Sequence, residues 1–131
     1  MRQGALFGRR GTGLCRGVCH CKDCQKETGT AFNFVVAIPA PALSLQGTLK
    51  TFSAPGDSGK AVHRRFCPEC GSQILSEPDA LPGVAIIRAG TLDDTSWVNP
   101  AMEIYCDSAQ PWVQLGGERQ RFPKMPPRPP G

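Results

Sequence analysis

The stretch VCHCKDCQKETGTAFNFVVAIP, residues 18–39, carries the reading of the fold. It sets Cys19, Cys21 and Cys24 in a C-x-C-x-x-C pattern and passes within a few residues to an aromatic and β-branched run, AFNFVVAIP (31–39). Such a run reads as a strand, and Pro39 and Pro41 stop it. Between the two, QKETG (25–29) has room for one short helical turn ending at Gly29. A metal-type loop that feeds a strand directly, with no amphipathic helix, points to a β domain bearing metal loops.

The same grammar continues outward. LSLQGTLKTFSA (43–54) reads as a hairpin pivoting near Gly47, and PGDSG (55–59) as a turn. AVHRRFCPECGS (61–72) is a strand delivering a Cys-Pro-x-Cys-Gly knuckle. QILSEPDA (73–80) and GVAIIRAGTL (83–92) are further strands, and AMEIYCD (101–107) and PWVQL (111–115) short ones. Helical periodicity is almost absent and turn signals recur about every ten residues, which gives an all-β fold of short antiparallel strands. Residues 1–17, rich in Gly and Arg, read as a poorly ordered leader, 18–125 as the zinc-binding β domain, and 126–131 as an extended Pro-rich tail.

Composition narrows the function. A chain of 131 residues, 40% hydrophobic and 20% charged, is an ordinary globular domain with a modest core. No run reaches the roughly 18 apolar residues of a membrane span, and MRQGALFGRRGTG lacks the apolar centre of a secretory signal. The expected location is therefore the cytoplasm. There, seven cysteines, five of them in two tight clusters, favour metal thiolates over disulfides. The net charge of +4 is scattered rather than drawn into a basic stripe with aromatics, so no nucleic-acid partner is expected. It suits the approach of a small anionic substrate.

Two arrangements of the cysteines are open. Cys21 and Cys24 could join Cys67 and Cys70 in one closed four-thiolate zinc site, a zinc-ribbon-like module that binds rather than catalyses; Cys19 is then spare. Alternatively Cys19, Cys21 and Cys24 hold a zinc by three thiolates and leave a fourth position to water or substrate, which is the arrangement of catalytic zinc. Cys67 and Cys70 then lack a partner pair.

CHCKDCQKETG (19–29), RRFCPECGSQI (64–74), RAGTLDD (88–94) and EIYCDSAQPWV (103–113) together resemble the glutathione-dependent formaldehyde-activating enzyme family, which includes centromere protein V, in that family's order and at about its spacings. The resemblance implies a β-tent fold with two zinc sites. It assigns a catalytic zinc to Cys19, Cys21 and Cys24, and half of a structural zinc to Cys67 and Cys70. It implies a carbon–sulfur lyase-like activity, S-(hydroxymethyl)glutathione synthesis, with glutathione and formaldehyde or a related aldehyde as small-molecule partners. The alternative is a non-catalytic zinc-binding module or an inactive family member.

The chain departs from the family pattern at its start. The family's N-terminal C-x-C does not precede Cys19, where the only cysteine is Cys15. The expectation is a truncated or divergent member of reduced stability, with a second zinc that is absent or is completed by water or by a neighbouring chain in a homo-oligomer. Among the other residues, Arg64 and Arg65 are candidates for glutathione carboxylates, since guanidinium forks suit that geometry. His20 alternates away from Cys19 and Cys21, so it reads as a packed histidine, with proton carrier as the rival role. His63 reads as a surface strand residue and Cys106 as a buried strand thiol, its rival role a fourth thiolate at the catalytic zinc. Tyr105 and Trp112 read as core, and Asp93 and Asp94 as turn formers.

Overall fold

Val, Ile and Leu at alternating positions decide where this chain pairs. The computed structural model describes residues 5–7, for their backbone pairing, and 15–126. The parts of the expected leader at 1–4 and 8–14, and of the Pro-rich tail at 127–131, lie outside the described residues. The chain forms two compact units. Among the described residues, one takes in 5–7, Cys15 and Val35–Val98, the other Arg16–Phe34 and 99–126.

In the first unit, β3 (Asn33–Pro39, of which Val35 onward belongs here) pairs antiparallel with β8 (Val84–Arg88), β8 with β7 (Gln73–Pro78), β7 with β6 (Ala61–Phe66) and β6 with β5 (Lys50–Pro55). The register sets Val36 opposite Ile87 and Ile87 opposite Leu75, so three apolar side chains stand in one row across three strands. All three are at most 1% exposed, as are Ile38 and Ile74. Cross-strand rows of this kind are the unit of sheet stability. Ile87→Ala, in the middle of the row, is expected to cost about 2–5 kcal/mol. Phe52→Ala, on the end strand β5 where the ring is 60% exposed, should change stability by no more than about 0.5 kcal/mol. Urea unfolding of both variants checks the contrast, and equal costs would mean the row is not the core.

The expected hairpin at 43–54 does not form. β4 (Leu43–Leu45) pairs instead with β1 (Ala5–Phe7), and β5 takes β6 as partner through the turn at 55–60. That turn closes tightly, Gly56 N–H donating to the Lys60 carbonyl at 2.9 Å, whereas the segment 46–49 forms no ladder. The strand expected over 83–92 stops at Arg88 and continues as a 3-10 turn, Ala89–Thr91.

The second unit has β2 (Cys15–Cys19, from Arg16), the helix α1 (Lys22–Thr28), β9 (Met102–Ile104) and β10 (Gln120–Arg121). Here β9 runs parallel to both β2 and β10, a departure from the all-antiparallel expectation inside an all-β class that otherwise holds. PWVQL (111–115) is not a strand, and Trp112 is 70% exposed, which corrects its reading as core. Pro111 lacks the N–H that a ladder needs. No described helix is long and apolar enough to cross a membrane.

Candidate metal centre

The cysteine trio is built by the junction of β2 and α1. In the extended chain, Cys19 and Cys21 point to the same side and His20 to the other. Cys21 then caps the helix: its sulfur accepts the backbone N–H of Cys24 at 3.3 Å, which draws Cys24 in from the first turn. At the far end Gly29 adopts φ 70°, the left-handed conformation that ends a helix, and donates to the Gln25 carbonyl at 2.8 Å. Gln25 fastens the junction, its side-chain amide donating to the carbonyls of His20 at 2.7 Å and Ser108 at 3.0 Å.

The three sulfurs all lie within 4.8 Å of one another, Cys19 buried and the other two half-buried. Zn–S bonds of about 2.3 Å around a tetrahedral ion put sulfurs roughly 3.8 Å apart, so small shifts suffice for three thiolates to share one ion. Proton affinities agree with this fit. Hydrogen bonds from Cys19 and then Cys24 hold the Cys21 thiol far below its ordinary range, against the opposing effect of burial. Cys19, donating toward Cys21, is pushed up to about 12. Cys24 is also raised, first by its hydrogen bond with Cys19 and then by that with Cys21. The pocket thus ionises one sulfur readily and resists the second and third, unless a cation offsets their repulsion. Soft thiolates select zinc or a similarly soft ion.

Behind the trio lies a buried polar array that the sequence did not announce. His20, 1% exposed, donates its Nε2–H to Glu103 Oε1 at 2.8 Å. Glu103, 5% exposed, accepts from Arg119 Nη1 at 3.0 Å on its other oxygen, and Arg121 Nε lies 3.5 Å from the first. Burial works to raise the Glu103 pKa, but the bonds from His20 and Arg119 and the charge of Arg121 outweigh it, leaving the carboxyl below its ordinary range. Parallel pairing sets Val18 beside Glu103 and Cys19 beside Ile104, so β9 carries the carboxylate alongside the strand that ends in the trio. A glutamate between Met102 and Ile104 in an apolar strand was the one available signal.

Cys106 is half-buried and groups with His20 and Glu103, not with the three cysteines. It lies in a 3-10 turn, Cys106–Ser108, rather than in a strand. Tyr105 before it adopts φ 55°, the only positive φ of a non-glycine residue among those described. Such strain costs about 1–3 kcal/mol and is held here by three backbone hydrogen bonds, from Tyr105, Cys106 and Asp107 to the segment 122–124.

In the other unit, Cys67 and Cys70 form the expected knuckle. Gly71 N–H donates to the Cys67 carbonyl and Cys67 N–H to the Ser72 carbonyl, both at 2.8 Å, with Gly71 at φ 77°. Cys67 is buried; Cys70 is exposed, its sulfur 3.1 Å from Ser72 Oγ, a contact that lowers its pKa. Among the described residues no third metal-binding side chain joins the two. Arg64 and Arg65 are consecutive in β6, so their side chains leave opposite faces, and Arg65 Nε pairs with Glu77 at 2.9 Å. His63 is a partly exposed strand residue bonded to Ser53 and Asp79. Asp94 holds its turn by accepting from Ser96 N and Oγ.

Comparison with known proteins gives these features a setting. A protein of Penicillium rubens, provisionally named a glutathione-dependent formaldehyde-activating enzyme, is 24% identical over 85 residues, covering 63% of this chain and 44% of its own length. Proteins of Colletotrichum graminicola and Talaromyces marneffei with the same provisional name are each 24% identical over 93 residues, 69% of this chain. The chain spans 48% of the former and 49% of the latter, about half the length of the curated relatives it matches. The profile of the family described as "Glutathione-dependent formaldehyde-activating enzyme" matches residues 8–108, well over half of the chain. The chain belongs to the glutathione-dependent formaldehyde-activating enzyme family.

Proposed function

We propose that this chain joins glutathione to formaldehyde, or to a related small aldehyde, as a zinc-dependent carbon–sulfur lyase-like enzyme of the reducing cytoplasm. The supporting observation is the trio itself: three sulfurs gathered within 4.8 Å, with Cys106 grouped instead with His20 and Glu103. A zinc ion held by Cys19, Cys21 and Cys24 would supply a site where a substrate sulfur stays a thiolate near neutral pH.

The chain's own residues do the rest. β2 and the capped first turn of α1 hold the three ligands, and the Glu103–His20 pair fixes the backbone between two of them. In the reaction the thiol sulfur attacks the aldehyde carbon, a C–S bond forms, the carbonyl π bond opens, and its oxygen takes a proton, giving the hemithioacetal. Three ligating thiolates would carry one more charge than a zinc ion neutralises, which would preserve the nucleophilicity of a substrate sulfur. Cys67 and Cys70 serve as a structural knuckle. Arg64 and Arg65 remain candidate substrate contacts, one from each face of β6.

The test is NMR exchange spectroscopy of 13C-formaldehyde with glutathione, read against protein concentration. The expected result is an exchange rate that rises in proportion to zinc-loaded protein. A rate equal to the uncatalysed one, with one zinc per chain measured at the trio, would leave an inactive zinc-binding member of the family instead.

A further inference from the structure

The second unit contains a cavity of about 550 Å³ that none of the assignments above uses. It falls within the range of small-ligand pockets, roughly 300–1,000 Å³. Its walls include Glu103, Leu115, Gly117, Glu118, Arg119 and Arg121. Glu103 is therefore shared: one carboxylate both lines this cavity and holds His20, the residue between Cys19 and Cys21.

The charges in the wall are unequal in commitment. Arg119 is nearly buried, its side chain 10% exposed; it donates Nη1 to Glu103 Oε2 at 3.0 Å and Nη2 to the Gly116 carbonyl. Its Nε–H has no partner among the described residues. Gly117, at φ 85°, lets the loop pass close over that guanidinium; a Cβ there would stand 3.1 Å from Arg119 Nη2. Arg121 is 58% exposed and touches Glu103 only through Nε at 3.5 Å, which leaves its terminal nitrogens to a ligand. Glu103 offsets one of the two guanidiniums, so one net positive charge remains beside the exposed carboxylate of Glu118. A pocket with one uncommitted cation next to one uncommitted anion complements a zwitterion.

We propose that this cavity seats the α-amino-acid end of the peptide thiol, its carboxylate on the Arg121 fork and its ammonium at Glu118. The assignment rests on the reading of the chain as a glutathione enzyme and adds the γ-glutamyl head group as the part recognised. Arg119 acts as a positioning residue, holding Glu103 and adding positive potential.

The probe is S-methylglutathione, whose alkylated sulfur cannot ligate as a thiolate, titrated calorimetrically into the zinc-loaded chain. Saturable binding is expected, weakened about ten- to a hundredfold in Arg121→Ala, as for loss of a charged hydrogen-bond pair, and partly kept in Arg121→Lys. N-acetyl-S-methylglutathione should bind the native chain more weakly, and Glu118→Gln should weaken the free-amine peptide but not the acetylated one. Unchanged binding in Arg121→Ala, or binding of glutathione but not of the S-methyl form, would overturn the assignment while leaving the proposed reaction standing. S-methylglutathione binding that depends on Arg121, in a chain that turns over no thiol–aldehyde pair, would support the pocket and sink the reaction.

Discussion

Cys19→Ser is expected to lower zinc at the trio from one ion per chain to none after dialysis, and to take the catalysed exchange rate to the uncatalysed level. Loss of outer partners of a metal ligand typically costs 10–100-fold in affinity, and loss of a ligand should cost about a hundredfold or more. Cys19 is the sensitive position because it is the buried member, delivered at the end of β2 and fixed there by parallel pairing with β9. A serine oxygen is harder and shorter in reach, and it cannot restore a soft three-sulfur set. Elemental analysis of the native chain, Cys19→Ser, Cys67→Ser and Cys106→Ser makes the comparison. Cys106→Ser should keep its zinc at the trio, since that thiol lies with His20 and Glu103. The outcome that sinks the three-thiolate reading is full zinc in Cys19→Ser together with loss in Cys67→Ser. That pattern belongs to a closed site made of Cys21, Cys24, Cys67 and Cys70.

What the sequence revealed followed the range of each interaction. The trio was legible because C-x-C-x-x-C is local: strand alternation and one helical turn bring the sulfurs together without help from distant residues. The strands at 33–39, 61–66, 73–78 and 84–88 were legible for a similar reason, being short segments set off by nearby Pro and Gly. Partners were less legible. Residues 43–54 have the composition of a hairpin, yet a three-residue β4 pairs with β1 and β5 pairs with β6, because a strand's partner depends on closure elsewhere in the chain. The His20–Glu103 bond joins residues 83 apart and depends on the parallel register of β2 with β9, which no local pattern encodes. The pairing of Arg119 and Arg121 with Glu103 likewise depends on tertiary placement rather than on any local pattern.

Glu103→Gln is expected to destabilise the fold by about 3–5 kcal/mol, the cost typical of breaking a buried ion pair from one side. The amide keeps the shape but removes the charge that Arg119, nearly buried, has as its direct partner, and it presents an N–H where His20 or Arg119 needs an acceptor. For a chain of this size the expected fall in Tm is on the order of 10–20 °C. Packing alone predicts a small effect, because glutamine fills the same volume. Removing both charges separates the two explanations: Glu103→Gln with Arg119→Met should recover part of the loss, since apolar replacement of a whole buried pair is often neutral. The carboxyl also sets an acid limit. Its folded pKa lies below the ordinary 4.5, so its contribution is fully present above that value and lost as the pH falls through the folded one. Native protein should therefore lose stability across that acid window faster than Glu103→Gln does, and the two unfolding curves should converge at the lowest pH. A Tm within about 2 °C of native at neutral pH, with parallel acid profiles, would mean that the array behind the trio carries no stability and that His20 is held by packing alone.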